Sequence, residues 1–162
     1  MRVVTAPKPQ PAARRDYPHF ETIHTRWMDN DIYGHVNNVV HYSLFDTAVN
    51  RYLIQCGALD IHAGAVIGLV VETRCSYFES IAFPQTVHAG LRVLHLGRSS
   101  VRYEVALFAD EAQRSAALGH FVHVYVDRSS RRPVALPAPL ARALQPLISS
   151  GGPDGPPPPA TS

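Results

Sequence analysis

Cysteine is scarce in this chain: Cys56 and Cys75 are the two among 162 residues, and no C-x-x-C pair occurs. That excludes a disulfide framework and gives no sign of a thiol-based metal or redox centre, so both thiols are expected to be reduced core residues. Long basic runs are also missing. A formal net charge of +2 with no run of five Lys or Arg argues against a nucleic-acid binder and for a solvated surface of mixed sign. Nowhere do about 18 apolar residues run together. The N-terminus lacks the apolar core of about 7–15 residues that a secretory signal needs, because Pro7, Pro9, Pro11 and the Arg14-Arg15 pair interrupt it. The sequence therefore predicts a cytoplasmic protein without a membrane segment.

The composition that is present describes an ordinary globular domain, with 46% apolar residues and a mean hydropathy of −0.07. One domain with a sizeable core fits this length. Residues 1–18 are rich in proline and basic side chains, and 149–162 read SSGGPDGPPPPATS. Neither end carries enough apolar surface to offset its ordering entropy. Both are expected to be flexible, leaving residues 19–148 as the working domain. Pro156 to Pro159 lack the flanking residues of a polyproline-recognition motif and read as linker or disordered tail.

Within 19–148 the apolar periodicity changes along the chain. From Asn38 to about Gln55, Val39, Tyr42, Phe45, Val49, Tyr52 and Leu53 recur at helical spacing, and Leu44, Ala48 and Ile54 widen the apolar face. Asn37 or Asn38 suits the N-cap, and Gly57 suits the left-handed residue after the last turn. Further on, period-two alternation marks strands. Ile67, Leu69, Val71, Thr73, Cys75 and Tyr77 form one face; Val87, Ala89, Leu91 and Val93 another; Val101, Tyr103, Val105 and Leu107 a third. Leu96 to Ser99 supplies a hairpin turn. A last strand spans Ala116 to Asp127 with Leu118, Val122, Val124 and Val126 on one face, and a short amphipathic helix covers about Ala138 to Leu147. The expected architecture is α+β: an uncrossed meander wrapped around one long buried helix, with open sheet edges that oligomerisation would cover.

The densest chemistry lies between the first strand-forming segment, Phe20 to Met28, and the long helix. Arg26-Trp-Met-Asp29-Asn-Asp31-Ile-Tyr-Gly34-His35-Val-Asn37-Asn38 places two carboxylates, an imidazole and carboxamides at a helix start, where backbone amides lack intrahelical partners. A calcium loop starting at Asp29 would need an oxygen ligand at Tyr33 and a glutamate at Val40, so it fails. An aspartyl-phosphate site fails as well, for want of a buried parallel strand before it and an α/β repeat after it. A carboxylate beside the free amides and positive end of a helix suits acyl transfer. The amide polarises a carbonyl, and the carboxylate attacks carbon or deprotonates water.

The pattern Arg26-x-x-Asp29-x-Asp31-x-x-Gly34-His35-Val36-Asn37-Asn38-x-x-His41-Tyr42-x-x-Phe45-Asp46 resembles the opening of hotdog-fold acyl-CoA thioesterases, specifically the four-hydroxybenzoyl-CoA thioesterase-like group. Glu72 to Tyr77, Ile81 to Val87, Leu96 to Ser100 and Arg132 to Pro137 extend the resemblance over about residues 20–140. The resemblance implies a long central helix wrapped by a five-stranded antiparallel sheet, a homodimer or homotetramer with sites shared between subunits, and hydrolysis of acyl-CoA without a metal or other cofactor. It carries the catalytic aspartate onto Asp31 and the carbonyl-polarising helix amide onto Asn38, and leaves Asp29 as architecture.

Other candidates have two readings each. His35 either contacts substrate or organises its own turn, and Asn37 either orients water or caps the helix. Gly34 permits a positive φ or close backbone approach, and Tyr33 lines the way in. Arg98 with Ser99 and Ser100, and the cluster Arg128, Arg131 and Arg132, would bind coenzyme A phosphates or be solvated turn residues. His120 and His123 point to opposite faces of a strand, which disfavours a shared metal, and Cys75 has no activating partner. Alternatives to hydrolysis are a non-catalytic acyl-CoA binding or regulatory module of the same fold, or a hydratase or dehydratase, whose histidine–carboxylate pair is not found.

Overall fold

The computed structural model describes residues 6–149 of the chain. The Pro/Gly-rich tail predicted from 149 onward lies, from residue 150, outside the described residues. The elements are β1 (His19–His24), α1 (Asn38–Gln55), β2 (Val66–Tyr77), β3 (Thr86–Leu96), β4 (Ser100–Ala109), β5 (Ala117–Asp127) and α2 (Ala138–Leu144). A 3-10 turn, Gln145–Leu147, continues α2. Five strands form one sheet in the order β1-β3-β4-β5-β2, and every neighbouring pair is antiparallel. The expected uncrossed meander is therefore corrected: only β3, β4 and β5 meander. The chain crosses from β2 to β3, leaving β1 and β2 as the two edges.

Helix α1 packs across one face of this sheet, touching all five strands. His41, Leu44, Phe45, Ala48, Val49, Tyr52 and Leu53 are buried at three- and four-residue spacing, where successive side chains stack on one helical face. Val39, Tyr42 and Ile54, expected on that face, are 67%, 38% and 49% exposed, because they fall on the flank that the sheet leaves uncovered. The caps match the sequence. Asn37 accepts a hydrogen bond from the Val39 amide at 3.0 Å, and Gly57 takes φ +65° after the last turn. Gly119 on β5 permits the closest helix approach, since a Cβ there would lie 2.5 Å from the Phe45 ring.

Strands β3 and β4 bury the predicted faces completely: Val87, Ala89, Leu91, Val93, Val101, Tyr103, Val105 and Leu107 all have no exposed surface. Strand β5 reverses the prediction. Its core-facing residues are Phe121, His123 and Tyr125 rather than Leu118, Val122, Val124 and Val126, of which Val126 alone is buried, outside the main core, because register with β4 sets Phe121 opposite Tyr103. A one-residue choice of face inverts every side chain. In β2 a bulge between Val70 and Glu72 breaks the expected alternation and leaves Val71 59% exposed on the edge strand.

The packed unit also begins earlier than residue 19. Ala12, Tyr17 and Phe20 cover Ala106 and Phe108 on the outer sheet face, and the Arg14 guanidinium sits 5.2 Å over the Phe108 ring. The Tyr17 hydroxyl donates to Glu104 at 2.6 Å, and Glu104 is also bound by Arg92 at 2.7 Å and His120 at 3.1 Å. Burial alone would raise the Glu104 pKa, but these partners hold it below the usual value. Among the described residues, no helix is long and apolar enough to cross a membrane.

Candidate active site

After β1 the chain makes a 3-10 turn, Trp27–Asp29, and Asp29 is 3% exposed within it. One Asp29 oxygen accepts the Arg26 amide at 2.7 Å; the other accepts the Arg26 Nε and Nη2 at 3.0 and 2.8 Å. Burial would push this carboxyl up, but the Arg26 side chain, backbone amide and charge hold it below its ordinary range. The Asp29 carbonyl accepts from the Asn37 amide at 2.8 Å. Asp29 thus ties the turn before the site to the start of α1 and has no free oxygen for chemistry.

Two residues later the same side chain is used differently. Asp31 Oδ1 accepts the Tyr33 amide at 2.8 Å and, more distantly, the His35 amide at 3.5 Å, while its Oδ2 has no hydrogen-bond partner among the described residues. The loop is closed around it: the Asp31 amide donates to the His35 carbonyl at 2.8 Å and the Gly34 amide to the Asp31 carbonyl at 3.1 Å. Gly34 has φ +82°, and a Cβ there would meet nothing within 4 Å. Its requirement is therefore the left-handed backbone rather than close approach. One oxygen is fixed by backbone amides and the other is presented to a half-exposed site.

The start of α1 supplies the donor. Asn37 binds the Val39 amide with its side chain and the Val40 amide with its carbonyl, which leaves the Asn38 amide as a helix-terminal N–H without a partner among the described residues. Asp31 and Asn38 line the same cavity of about 430 Å³ with His35, His41, Tyr77 and Ile81. The cavity floor is held by two further bonds, from the Tyr77 hydroxyl to the Asn38 carbonyl at 3.2 Å and between His41 Nδ1 and the Asn37 carbonyl at 3.2 Å. A carbonyl only accepts, so His41 Nδ1 carries the proton and Nε2 is left as an acceptor. Burial lowers the His41 pKa, keeping the ring neutral at pH 7.

Of the sequence candidates, Asp31, His35 and Asn38 meet at this cavity. Asn37 has its side chain occupied as the cap, and Tyr33, 77% exposed, is not part of the wall. The phosphate-binding candidates are elsewhere within one chain. Ser100 pairs with Val124 and Leu107 with Ala117, which pairs with Tyr77; the seven steps from Ser100 to Leu107 span about 23 Å of strand. Arg98, Ser99 and Ser100 therefore sit at the end of the sheet remote from Asp31. Arg131 and Arg132 are at that end too, in the turn where the Asp127 amide donates to the Arg132 carbonyl at 2.9 Å. Arg128 is used structurally, its Nε donating to the Gly64 carbonyl at 2.6 Å. Cys56 is exposed, correcting the expectation of a core thiol, and Cys75 is half-buried with its pKa raised by burial. His41 and Tyr77 were missed as wall residues. His41 is marked in sequence by its place one turn beyond Asn38, whereas Tyr77 reaches the site only through the sheet.

With this geometry in view, comparison with known proteins places the chain: the thioesterase-like superfamily profile matches residues 25–144, and the chain belongs to that family and has its hotdog fold. Among solved structures it is similar to the PA5185 protein of Pseudomonas aeruginosa, with 58% identity over 89% of this chain and 100% of that one, at a TM-score of 0.85. It is also similar to a Thermus thermophilus thioesterase complexed with coenzyme A and zinc, with 31% identity over 82% of this chain and 95% of that one, at 0.66. A 1,4-dihydroxy-2-naphthoyl-CoA thioesterase from Synechocystis shares the fold at 16% identity over 77% of this chain and 93% of that one, at 0.70. No curated protein matches the sequence.

Proposed function

We propose that this protein hydrolyses an acyl-CoA thioester to the free acid and coenzyme A, with Asp31 as the reactive carboxylate and the Asn38 amide as carbonyl polariser. The observation that carries this reading is the pairing of an unpartnered Asp31 oxygen with an unpartnered helix-terminal amide in one cavity. The thioester carbonyl oxygen accepts from the Asn38 N–H, and negative charge developing on that oxygen is favoured by the positive end of α1. Asp31 Oδ2 then attacks the carbonyl carbon, the C–S bond breaks, the thiolate takes a proton from solvent and water hydrolyses the anhydride. In the alternative route Oδ2 takes a proton from water, the hydroxide adds to the same carbon, the C–S bond breaks, and the leaving thiolate takes the proton from Asp31. Neither route calls for a metal or redox cofactor. The coenzyme A named for the Thermus protein supports this choice of thioester.

The proposal includes a second copy of the chain. Strand β2 is an unpaired edge carrying exposed Val70, Val71 and Tyr77, a surface suited to antiparallel edge-to-edge pairing. About a two-fold axis, such pairing brings the Val66 end of one β2 opposite the Tyr77 end of the other. It therefore moves the partner's arginine-bearing sheet end toward this Asp31 cavity, where Arg98, Arg131 and Arg132 meet the phosphates of coenzyme A. Pairing of such dimers into a tetramer is the further assembly proposed. Thiol release over short, medium, long and aromatic acyl-CoAs tests the activity. Release by wild type that is lost in Asp31→Asn supports it, while tight binding without release on every substrate supports a binding module instead. An acyl group found on the Asp31 peptide after rapid quench marks the anhydride route.

A further inference from the structure

The Asp31 cavity holds a third polar group that a thioester cannot satisfy. His41 is 3% exposed, and its Nδ1 is bound to the Asn37 carbonyl at 3.2 Å. Its Nε2 has no hydrogen-bond partner among the described residues, yet it is not sealed off. Among their buried and half-buried side chains, His123 Nε2 is the one nitrogen or oxygen that is both unpartnered and closed to solvent. His41 Nε2 therefore has open surface, and the cavity that His41 lines is the one it shares with Asp31 and Asn38. The ring is fixed from two sides, by the Asn37 bond and by the Tyr77 ring, which meets it edge-on with 4.9 Å between centroids. Glu79 and Ser80 line the same cavity but are exposed, so solvent competes for their side chains.

Covalent geometry limits how far this nitrogen is from the reacting group. Nε2 is across the imidazole from Nδ1, Nδ1 is 3.2 Å from the Asn37 oxygen, and that oxygen belongs to the same peptide group as the Asn38 nitrogen. Nε2 thus lies within about 8 Å of the Asn38 amide, at the reacting end of the cavity. With its proton on Nδ1, the ring has nothing to donate from Nε2 to a carbonyl oxygen; it needs a donor. The thioester group has no N–H or O–H. Water is the donor that hydrolysis itself brings to this place, and it carries two protons for two unpartnered acceptors, Asp31 Oδ2 and His41 Nε2.

We infer that His41 is a positioning residue: the hydrolytic water donates one hydrogen bond to His41 Nε2 and the other to Asp31 Oδ2, which directs an oxygen lone pair at the carbonyl carbon held by the Asn38 amide. This rests on the hydrolase reading and selects its general-base route. As the water oxygen bonds to carbon, the proton facing Asp31 passes to Oδ2 and the proton facing His41 stays on the new hydroxyl. The C–S bond then breaks, and the thiolate takes the proton from Asp31, giving free acid and thiol. Burial disfavours the imidazolium form of His41, so the ring orients this water without taking its proton. Two fixed acceptors replace a search over water orientations, which is the contribution expected of a positioning group.

The test uses the intact protein and whichever of acetyl-, octanoyl-, palmitoyl- and benzoyl-CoA it hydrolyses fastest. His41→Phe keeps a ring against Tyr77 and removes the acceptor, so kcat should fall about 10- to 100-fold with KM changed by less than about twofold. His41→Gln, which offers a carbonyl oxygen in place of Nε2, should recover several-fold of that loss. Equal kcat losses in the two variants mean packing alone and overturn the inference. A raised KM with kcat unchanged means that Nε2 holds an amide N–H of the pantetheine arm rather than water, and overturns it too. Should His41→Phe fail to fold, rapid quench of the wild type during its first turnover decides. No acyl group is expected on the Asp31 peptide; an acylated Asp31 peptide makes Oδ2 the nucleophile and overturns the inference. Thiol release lost in Asp31→Asn but kept in His41→Phe defeats this inference alone, whereas no release by the wild type from any of the four substrates defeats the hydrolase reading and the inference with it.

Discussion

The two ends of α1 each leave polar groups unpaired, for opposite physical reasons. At the N-terminal end the free groups, Asp31 Oδ2 and the Asn38 amide, face an open cavity with polar walls. On the core face of β5 the free group, His123 Nε2, is buried, and the ring packs edge-on against Phe121 and Tyr103. In the first place the groups are open to solvent, so a bond left unmade within the protein costs little. In the second the low dielectric makes the unmade bond expensive and keeps the ring neutral. Asp29 shows what the N-terminal end does with a carboxylate that it does not keep free: it spends both oxygens on Arg26.

Removing the carboxylate charge at the open end should give the largest effect. Asp31→Asn is expected to lower kcat by roughly 10²–10⁴-fold with melting temperature and oligomer size unchanged, and unaltered kcat would break the assignment. Acid should act at the closed end. His123 has a pKa of about 4 in the folded state against the usual 6.5, so the unfolded state binds its proton first as pH falls. Its contribution is complete above pH 6.5 and is lost progressively from there to about pH 4, amounting to about 3 kcal/mol. His41, also lowered, acts in the same direction. Unfolding by urea across this range should show the loss, and His123→Phe should flatten most of it; an unchanged slope would deny the buried neutral ring.

Asp29→Asn should destabilise by about 1–2 kcal/mol, toward the lower part of the usual range for a charged hydrogen bond, because the Arg26 side chain is 65% exposed and solvent screens the pair. Denaturation midpoints measure this, and a loss of turnover as large as that of Asp31→Asn would erase the distinction between the two aspartates. Asn37→Ala is the smallest change. Loss of the cap should cost about 1 kcal/mol while turnover stays within tenfold, and a larger kinetic loss would mean that the Asn37 side chain contacts substrate.

Much of the open end was legible in sequence because its parts are local. Asp31, Gly34, Asn37 and Asn38 lie within eight residues, and a turn aspartate, a positive-φ glycine and a helix cap are each set by their near neighbours. The limits of α1 and the buried faces of β3 and β4 followed from period and caps for the same reason. The closed end was not legible. His123 sits in an alternating strand whose more aliphatic face, Leu118, Val122 and Val124, points away from the helix; pattern alone chose the wrong side, since the outer face is covered too, by Tyr17 and Phe20.

By itself the sequence determined the helix, the strand segments and the Asp31 turn, through backbone preferences and contacts that span a few residues. Only the tertiary structure decided that β2 pairs with β5 rather than β3, that Tyr77 and His41 wall the Asp31 cavity, that the arginine clusters lie at the far end of the sheet, and that His123 Nε2 is buried without a partner among the described residues. Those outcomes depend on strand order and register, which are fixed by packing between segments far apart in the chain, and no local pattern encodes them.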